Sequence, residues 1–176
     1  MSTPLPDLSA YVGGEFGPFL AWDDVNAPMI RHWCEVMGET RDIYTDAEAA
    51  RAAGFSDIVA PPSMMMAWTM NGYGGKRPPG SGEGNALGVL AVISEAGYPG
   101  VVAVNCEQTY ERYLEVGDSV YYRATCESIS DEKTTGLGTG FFVTELSTYY
   151  NQRDEVVGTQ RFRVLQYKPA QREVSA

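Results

Sequence analysis

The chain has 176 residues, enough for one domain with its own core, and 44% of them are hydrophobic, which excludes a disordered segment. Its net charge is −10, and only 13 lysines and arginines are scattered along it, which disfavours a nucleic-acid surface. No apolar run approaches the roughly 18 residues of a membrane span, and Met1-Ser2-Thr3-Pro4-Leu5-Pro6-Asp7 lacks the pattern of a signal peptide, so the expected setting is cytoplasmic, away from membranes.

Residues 1–14, with Pro4, Pro6, Gly13 and Gly14, read as a tail. Phe16 to Trp22 is a short apolar strand. Asp23 and Asp24 precede Pro28, a helix entry. From Pro28 to Met37 the residues Met29, Ile30, Trp33, Cys34 and Met37 recur at helical spacing, and Gly38 ends the helix. Glu39–Thr45 has no period and reads as a loop. Asp46 caps a short helix, Ala47–Ala53, stopped by Gly54. Ser63-Met64-Met65-Met66-Ala67-Trp68-Thr69-Met70 is apolar on nearly every side, which predicts a helix buried all round, with Pro62 in its first turn. Residues 71–86, rich in glycine, form a long loop or lid. Leu87–Ala96 reads as a helix with Gly97 as its stop.

The last third reads as long antiparallel strands joined by short turns: Val101–Tyr113, Ser119–Ile129, Thr134–Tyr150 and Val156–Tyr167. Gly136, Gly138 and Gly140 alternate along the third, which predicts a bare face open to close approach by a helix or by backbone. Residues 169–176 read as a C-terminal tail. A fully apolar helix must be wrapped, and the sheet that follows it is the natural wrapper. The pattern alone thus predicts an α+β domain over residues 15–168.

Cys34, Cys106 and Cys126 are far apart and fit no metal spacing, so they read as small buried hydrophobes, with no metal and no cofactor expected. The single histidine, His32, falls on the polar side of its helix and reads as exposed. Gly80-Ser81-Gly82-Glu83-Gly84 is not a dinucleotide motif, and Ser63 lacks the setting of a serine nucleophile.

The stretch GETRDIYTDAEAARAAGFSDIVAPP at residues 38–62 resembles the signature of the MaoC-like, or hydratase-2, family of hot-dog enzymes. Gly38, Ile43, Asp46, Ala50, Gly54, Phe55, Val59 and Ala60 are the matching positions. NCEQTYERYLEVGDSVYY looks like the family's strand and Gly-Asp turn, and Asn151–Val157 resembles its NQxGExV hairpin. VAPPSMMMAWTMNGYGGKRP and GYPGVVAVNCEQTYERYL are similar to the larger subunits of two-component steroid enoyl-CoA hydratases of actinobacterial cholesterol side-chain degradation. The resemblance implies a hot-dog fold, a curved sheet around a central helix, and hydration of an enoyl-CoA.

That reaction needs a base for water, a group for the α-carbon proton and a donor to the thioester oxygen. The family uses an Asp, a His and a backbone N–H at a glycine. The matching positions here hold Glu39, Tyr44 and Pro62, with Arg41 at a family Asn. A tyrosine shuttles protons poorly near neutrality, and a proline has no N–H to donate. The resemblance therefore implies a subunit without the catalytic pair, joined in a heterodimer or heterotetramer to a MaoC-like subunit that carries it. Met64, Met65 and Trp68 are candidates for the acyl pocket, with core packing as the competing reading. Arg112, Lys76 and Arg77 are candidates for the CoA phosphates, with plain surface cations as the competing reading. A homodimeric acyl-CoA thioesterase using Glu39 as base and a non-enzymatic acyl-CoA-binding module remain alternatives.

Overall fold

The computed structural model describes residues 4–170. Six strands, β1 (Glu15–Leu20), β2 (Gly100–Tyr110), β3 (Tyr121–Ile129), β4 (Lys133–Thr135), β5 (Gly138–Tyr150) and β6 (Val156–Pro169), form one antiparallel sheet. Their spatial order is β1-β3-β5-β6-β2, with β4 folded onto β5. The strands lie close to where the sequence places them, but two connections differ. β2 does not turn back onto β3; it pairs with β6 at the far edge. Thr134–Tyr150 is not one strand. Thr135 Oγ1 donates to the Gly138 carbonyl and accepts from Leu137 N, closing a turn at Gly136 and Leu137. Gly136 therefore shares no face with Gly138 and Gly140. A Cβ on Gly140 would lie 2.1 Å from the Gln166 carbonyl oxygen, so this glycine admits the backbone of β6, not a helix.

The two outer strands are unlike. β1 is short, holds Pro18, and breaks register between Phe16 and Phe19. The glycine-rich loop also ties to its outer rim: Gly82 N donates to the Pro18 carbonyl (2.7 Å) and Leu20 N to Ser81 Oγ (3.2 Å). β2 is long, has no proline, and leaves Val101, Val104, Cys106 and Tyr110 exposed. Cys106 is thus a surface residue, contrary to the sequence reading, because β2 has a strand on one side only; Cys34 and Cys126 are buried as expected.

α1 (Ala27–Met37) starts at Asn26, whose Oδ1 accepts from Met29 N (3.0 Å); Asp23 and Asp24 lie upstream of the cap. Gly38 closes it with φ 66°. Ile30 and Cys34 are buried, while Met29 and Met37 are exposed. α2 (Ala47–Ala52) is capped by Asp46, which accepts from Glu48 N (2.7 Å) and Ala49 N (3.1 Å). α3 (Val89–Glu95) matches the helix expected over Leu87–Ala96. Leu8–Tyr11, inside the expected N-terminal tail, is a 3-10 turn; Leu8 packs on the sheet and Gly13 N donates to the Cys126 carbonyl. Residues 1–3 and 171–176 of the two expected tails lie outside the described residues.

The central segment departs most from expectation. It is not a continuous helix but two 3-10 turns, Pro62–Met64 and Ala67–Thr69. Pro61 and Pro62 supply no N–H at its start, and Met70 is already extended at its end. Met64, Met65 and Trp68 enter the core; Met66 and Met70 are 44% and 62% exposed. The curved-sheet α+β architecture stands, with a broken helical segment where one rod was expected.

Two large apolar clusters lie along the inner face of the sheet, with a smaller one at Phe19, Ala86 and Ala124. Tyr44, Met64, Met65, Trp68 and Tyr149 belong to one, under α1 and the broken segment. In the other, Val89 and Ile93 of α3 cover Cys126, Phe141, Val143 and Val164. No helix among the described residues is long and apolar enough to cross a membrane.

Candidate functional site

Glu39 follows the left-handed cap of α1 and is clamped by its own neighbours. Its carboxylate accepts from Thr40 N and Arg41 N (3.0 Å each), from Arg41 Nε (2.9 Å) and from Arg41 Nη2 (2.6 Å). The Arg41 guanidinium, with these N–H groups, holds the Glu39 carboxyl down to about 2. A carboxylate so stabilised is a weak base. The same guanidinium lies 5.0 Å from the centre of the Tyr44 ring.

Tyr44 sits in a 3-10 turn, Asp42–Tyr44, and is 1% exposed. Burial, with the Tyr113 phenol beside it, pushes its pKa up to about 12. Among the described residues its hydroxyl has no hydrogen-bond partner. Tyr44 is therefore a filler of the core and does not reach solvent. Pro62 opens the broken segment and borders a cleft with Met65, Tyr110 and Arg112 of about 10 Å³, room for no more than one water. The three degenerate positions thus present a clamped carboxylate, a packed phenol and an imide nitrogen.

The other expected residues are placed differently. Met64, Met65 and Trp68 are all buried, and of the three only Met65 reaches a cleft, the small one beside Pro62. Gly158 of β6 lets Met65 in: a Cβ there would meet Met65 Sδ at 2.8 Å. Arg112 pairs with Glu155 (2.6 Å) and donates to the Val156 carbonyl, bracing the hairpin between β5 and β6. Glu155 Oε2 also accepts from Asn151 Nδ2 (2.7 Å) and Arg153 Nε (2.8 Å), and these donors hold its carboxyl down to about 2. Arg77 lies 3.9 Å over the Phe19 ring of β1 and donates to the carbonyls of Gly82 and Gly84, tying down the glycine-rich loop. Arg112 and Arg77 therefore serve opposite edges of the sheet and form no single phosphate patch within this chain. Lys76 is exposed beside Arg77. His32 is exposed, as expected, with Glu35 at 3.4 Å.

The open surface lies elsewhere. Between the two apolar clusters the inner face of the sheet turns polar, with Glu145 and Ser147 on β5 and Gln160 on β6. A cleft of about 180 Å³ opens over them, rimmed by Met66 and Met70 and walled by Tyr122 and Tyr149. The two tyrosine rings stack at 5.4 Å. Ser147 Oγ donates to Glu145 Oε1 (3.0 Å). Burial pushes the Glu145 carboxyl up, and no ion pair involves it among the described residues. The sequence carries one sign of this site: at inward positions of a central strand, Phe141, Val143 and Tyr149 are interrupted by a glutamate and a serine.

A family model described as the FAS1-like dehydratase domain region matches residues 10–160. The chain belongs to that family. This FAS1-like chain is 48% identical over 167 residues to a probable enoyl-CoA hydratase alpha subunit of Thermomonospora curvata, covering 94% of itself and 52% of the relative. It is 45% identical over 158 residues to the 3-oxo-4,17-pregnadiene-20-carboxyl-CoA hydratase alpha subunit of Mycobacterium tuberculosis, covering 89% of itself and 49% of that protein. It spans about half the length of these curated relatives. Among solved structures it is similar to a chain of the ChsH1–ChsH2 complex of Mycobacterium tuberculosis, at TM-score 0.79 and 43% identity, covering 91% of this chain and 86% of that one. A MaoC-like dehydratase from Rhodospirillum rubrum, at TM-score 0.59 and 22% identity over 91% of this chain and 94% of that one, shares the fold. The FAS1-like chain thus shares the fold of MaoC-like dehydratases, the hot-dog fold that its signature implied.

Proposed function

We propose that this chain is the substrate-shaping subunit of a heteromeric enoyl-CoA hydratase acting on a bulky acyl group of the steroid side-chain type, with the catalytic Asp and His supplied by a MaoC-like partner subunit. The observation that carries this reading is the state of the three family positions. Glu39 is held at about 2 by Arg41, Tyr44 is buried with a pKa near 12, and Pro62 has no N–H. Loss of one oxyanion donor alone costs on the order of 100- to 1000-fold in rate. The clamp on Glu39 also weakens it as the base of a thioesterase.

The relatives' names support the reaction and substrate class, and the relative solved as a two-component complex supports the partner. The long, exposed β2 supports it independently. An apolar, unpaired edge of this length invites another strand, and Val101, Val104 and Tyr110 stand ready on it. The Met66 and Met70 rim, rather than Met64, Met65 and Trp68, gives the acyl group its soft wall.

The test is turnover. The purified chain and the chain co-expressed with a MaoC-like subunit bearing an intact Asp and His are each given a bulky enoyl-CoA. Hydration only by the assembly is expected. Hydration at ordinary rates by the chain alone overturns the proposal.

A further inference from the structure

The cleft over Glu145 has a polar pattern that its apolar surroundings do not require. Core-facing positions of a central strand normally hold hydrophobes, and an unpaired carboxyl there costs free energy unless a ligand uses it. A file of side chains fixes the orientation of its neighbour. Tyr110 donates to Gln108 Oε1 (2.6 Å), Gln108 Nε2 donates to Gln160 Oε1 (2.7 Å), and Gln160 Nε2 is left without a partner among the described residues. Ser147 occupies Glu145 Oε1, so in the neutral acid the proton sits on Oε2. The cleft therefore offers two donors, Glu145 Oε2–H and Gln160 Nε2–H, between apolar walls of Met66, Met70, Tyr122 and Tyr149. A space of about 180 Å³ is smaller than a whole-ligand pocket and suits one end of a fused-ring group.

We infer that this cleft is the subsite for the end of the acyl group away from the thioester, and that Glu145, as a neutral acid, donates a hydrogen bond to a ring carbonyl oxygen carried there. The inference rests on the hydratase-subunit reading for the identity of the acyl group. Desolvation favours the neutral acid: burial raises the carboxyl, opposed only by Ser147. The titratable groups around it are Tyr122 and Cys126 of β3 and Tyr149 of β5, all pushed up by burial and so neutral. The broken segment contributes Met66, Thr69, Met70 and Asn71, and β6 contributes Gln160, none of which titrates. As pH rises through the pKa of Glu145 the donor becomes an acceptor, and a carbonyl ligand is repelled.

The experiment compares two enoyl-CoA substrates of one fused-ring skeleton, with and without a ketone at the far end, on the assembled complex. In Glu145→Leu the ratio of kcat/KM for the ketone substrate to that for its ketone-free analogue falls about 10- to 100-fold, as expected when one buried donor is lost. Glu145→Gln, which keeps a donor, retains most of the ratio and loses its decline with rising pH. An unchanged ratio in Glu145→Leu, or a pH decline that persists in Glu145→Gln, overturns the assignment. A second readout is independent of turnover. The carbonyl stretch of the free ring ketone bound to this chain is lowered by the donor, and Glu145→Leu abolishes that lowering. If the complex hydrates neither substrate, the hydratase reading falls, while the infrared measurement still decides whether Glu145 binds a carbonyl.

Discussion

Along β5 the inner face of the sheet is treated in two ways. Toward Gly138, Phe141 and Val143 lie under α3, closed by Val89 and Ile93. Past Val143 the covering element breaks into 3-10 turns, and the residues beneath it, Glu145 and Ser147, become polar. One strand thus serves as core at one end and lines an open cleft a few residues on. The difference shows that the site is placed by a failure of cover coinciding with a change of side-chain chemistry; neither alone would make a cleft.

The contrast can be broken by substitution. Trp68→Ala, on the buried side of the broken segment, is expected to cost about 3–5 kcal/mol in denaturant unfolding, whereas Met66→Ala on its open side is expected to cost less than about 0.5 kcal/mol. Comparable costs would mean the segment is packed on both sides. Tyr44→Phe removes a hydroxyl that has no partner and is expected to raise stability by about 1 kcal/mol. A loss would reveal a bond to that oxygen.

The two carboxylates sharpen the same contrast with opposite pH slopes. Glu39 drops from an ordinary 4.5 to about 2 in the folded protein, so its contribution is full above 4.5 and is lost as pH falls toward 2. Glu39→Gln should flatten stability on the acid side. Glu145 is raised above 4.5, so the folded state holds the extra proton, and stability falls as pH rises from 4.5 through the higher folded value. Glu145→Gln should remove that decline. Urea titrations of both variants at a series of pH values check the two signs. The smallest expected change is the Met66→Ala difference.

Much of the fold was legible because it rests on local rules. Asp46, Gly38 and Gly97 mark helix ends by capping chemistry, and strand periodicity located most of the sheet. What failed was non-local. Nothing in the residues of β2 says that it crosses to β6, and the Gly136–Leu137 turn depends on the Thr135 hydroxyl. At the family positions, the proposed loss of chemistry at Glu39, Tyr44 and Pro62 could be read from residue type alone. The rim of the cleft could not. Composition marked the methionines as a group, but only the broken helical geometry decides that Met64 and Met65 turn inward while Met66 and Met70 turn out. Arg77 and Arg112 likewise looked free in sequence and are engaged with Phe19 and Glu155.

The unlike rims of the sheet favour one side for strand addition. With β1 hemmed by the Ser81–Gly82 loop and broken at Pro18, and β4 only three residues long, β2 is the long open edge among the described residues. A guest strand seated there would extend this sheet at its β2 side and leave the β1 side as it is.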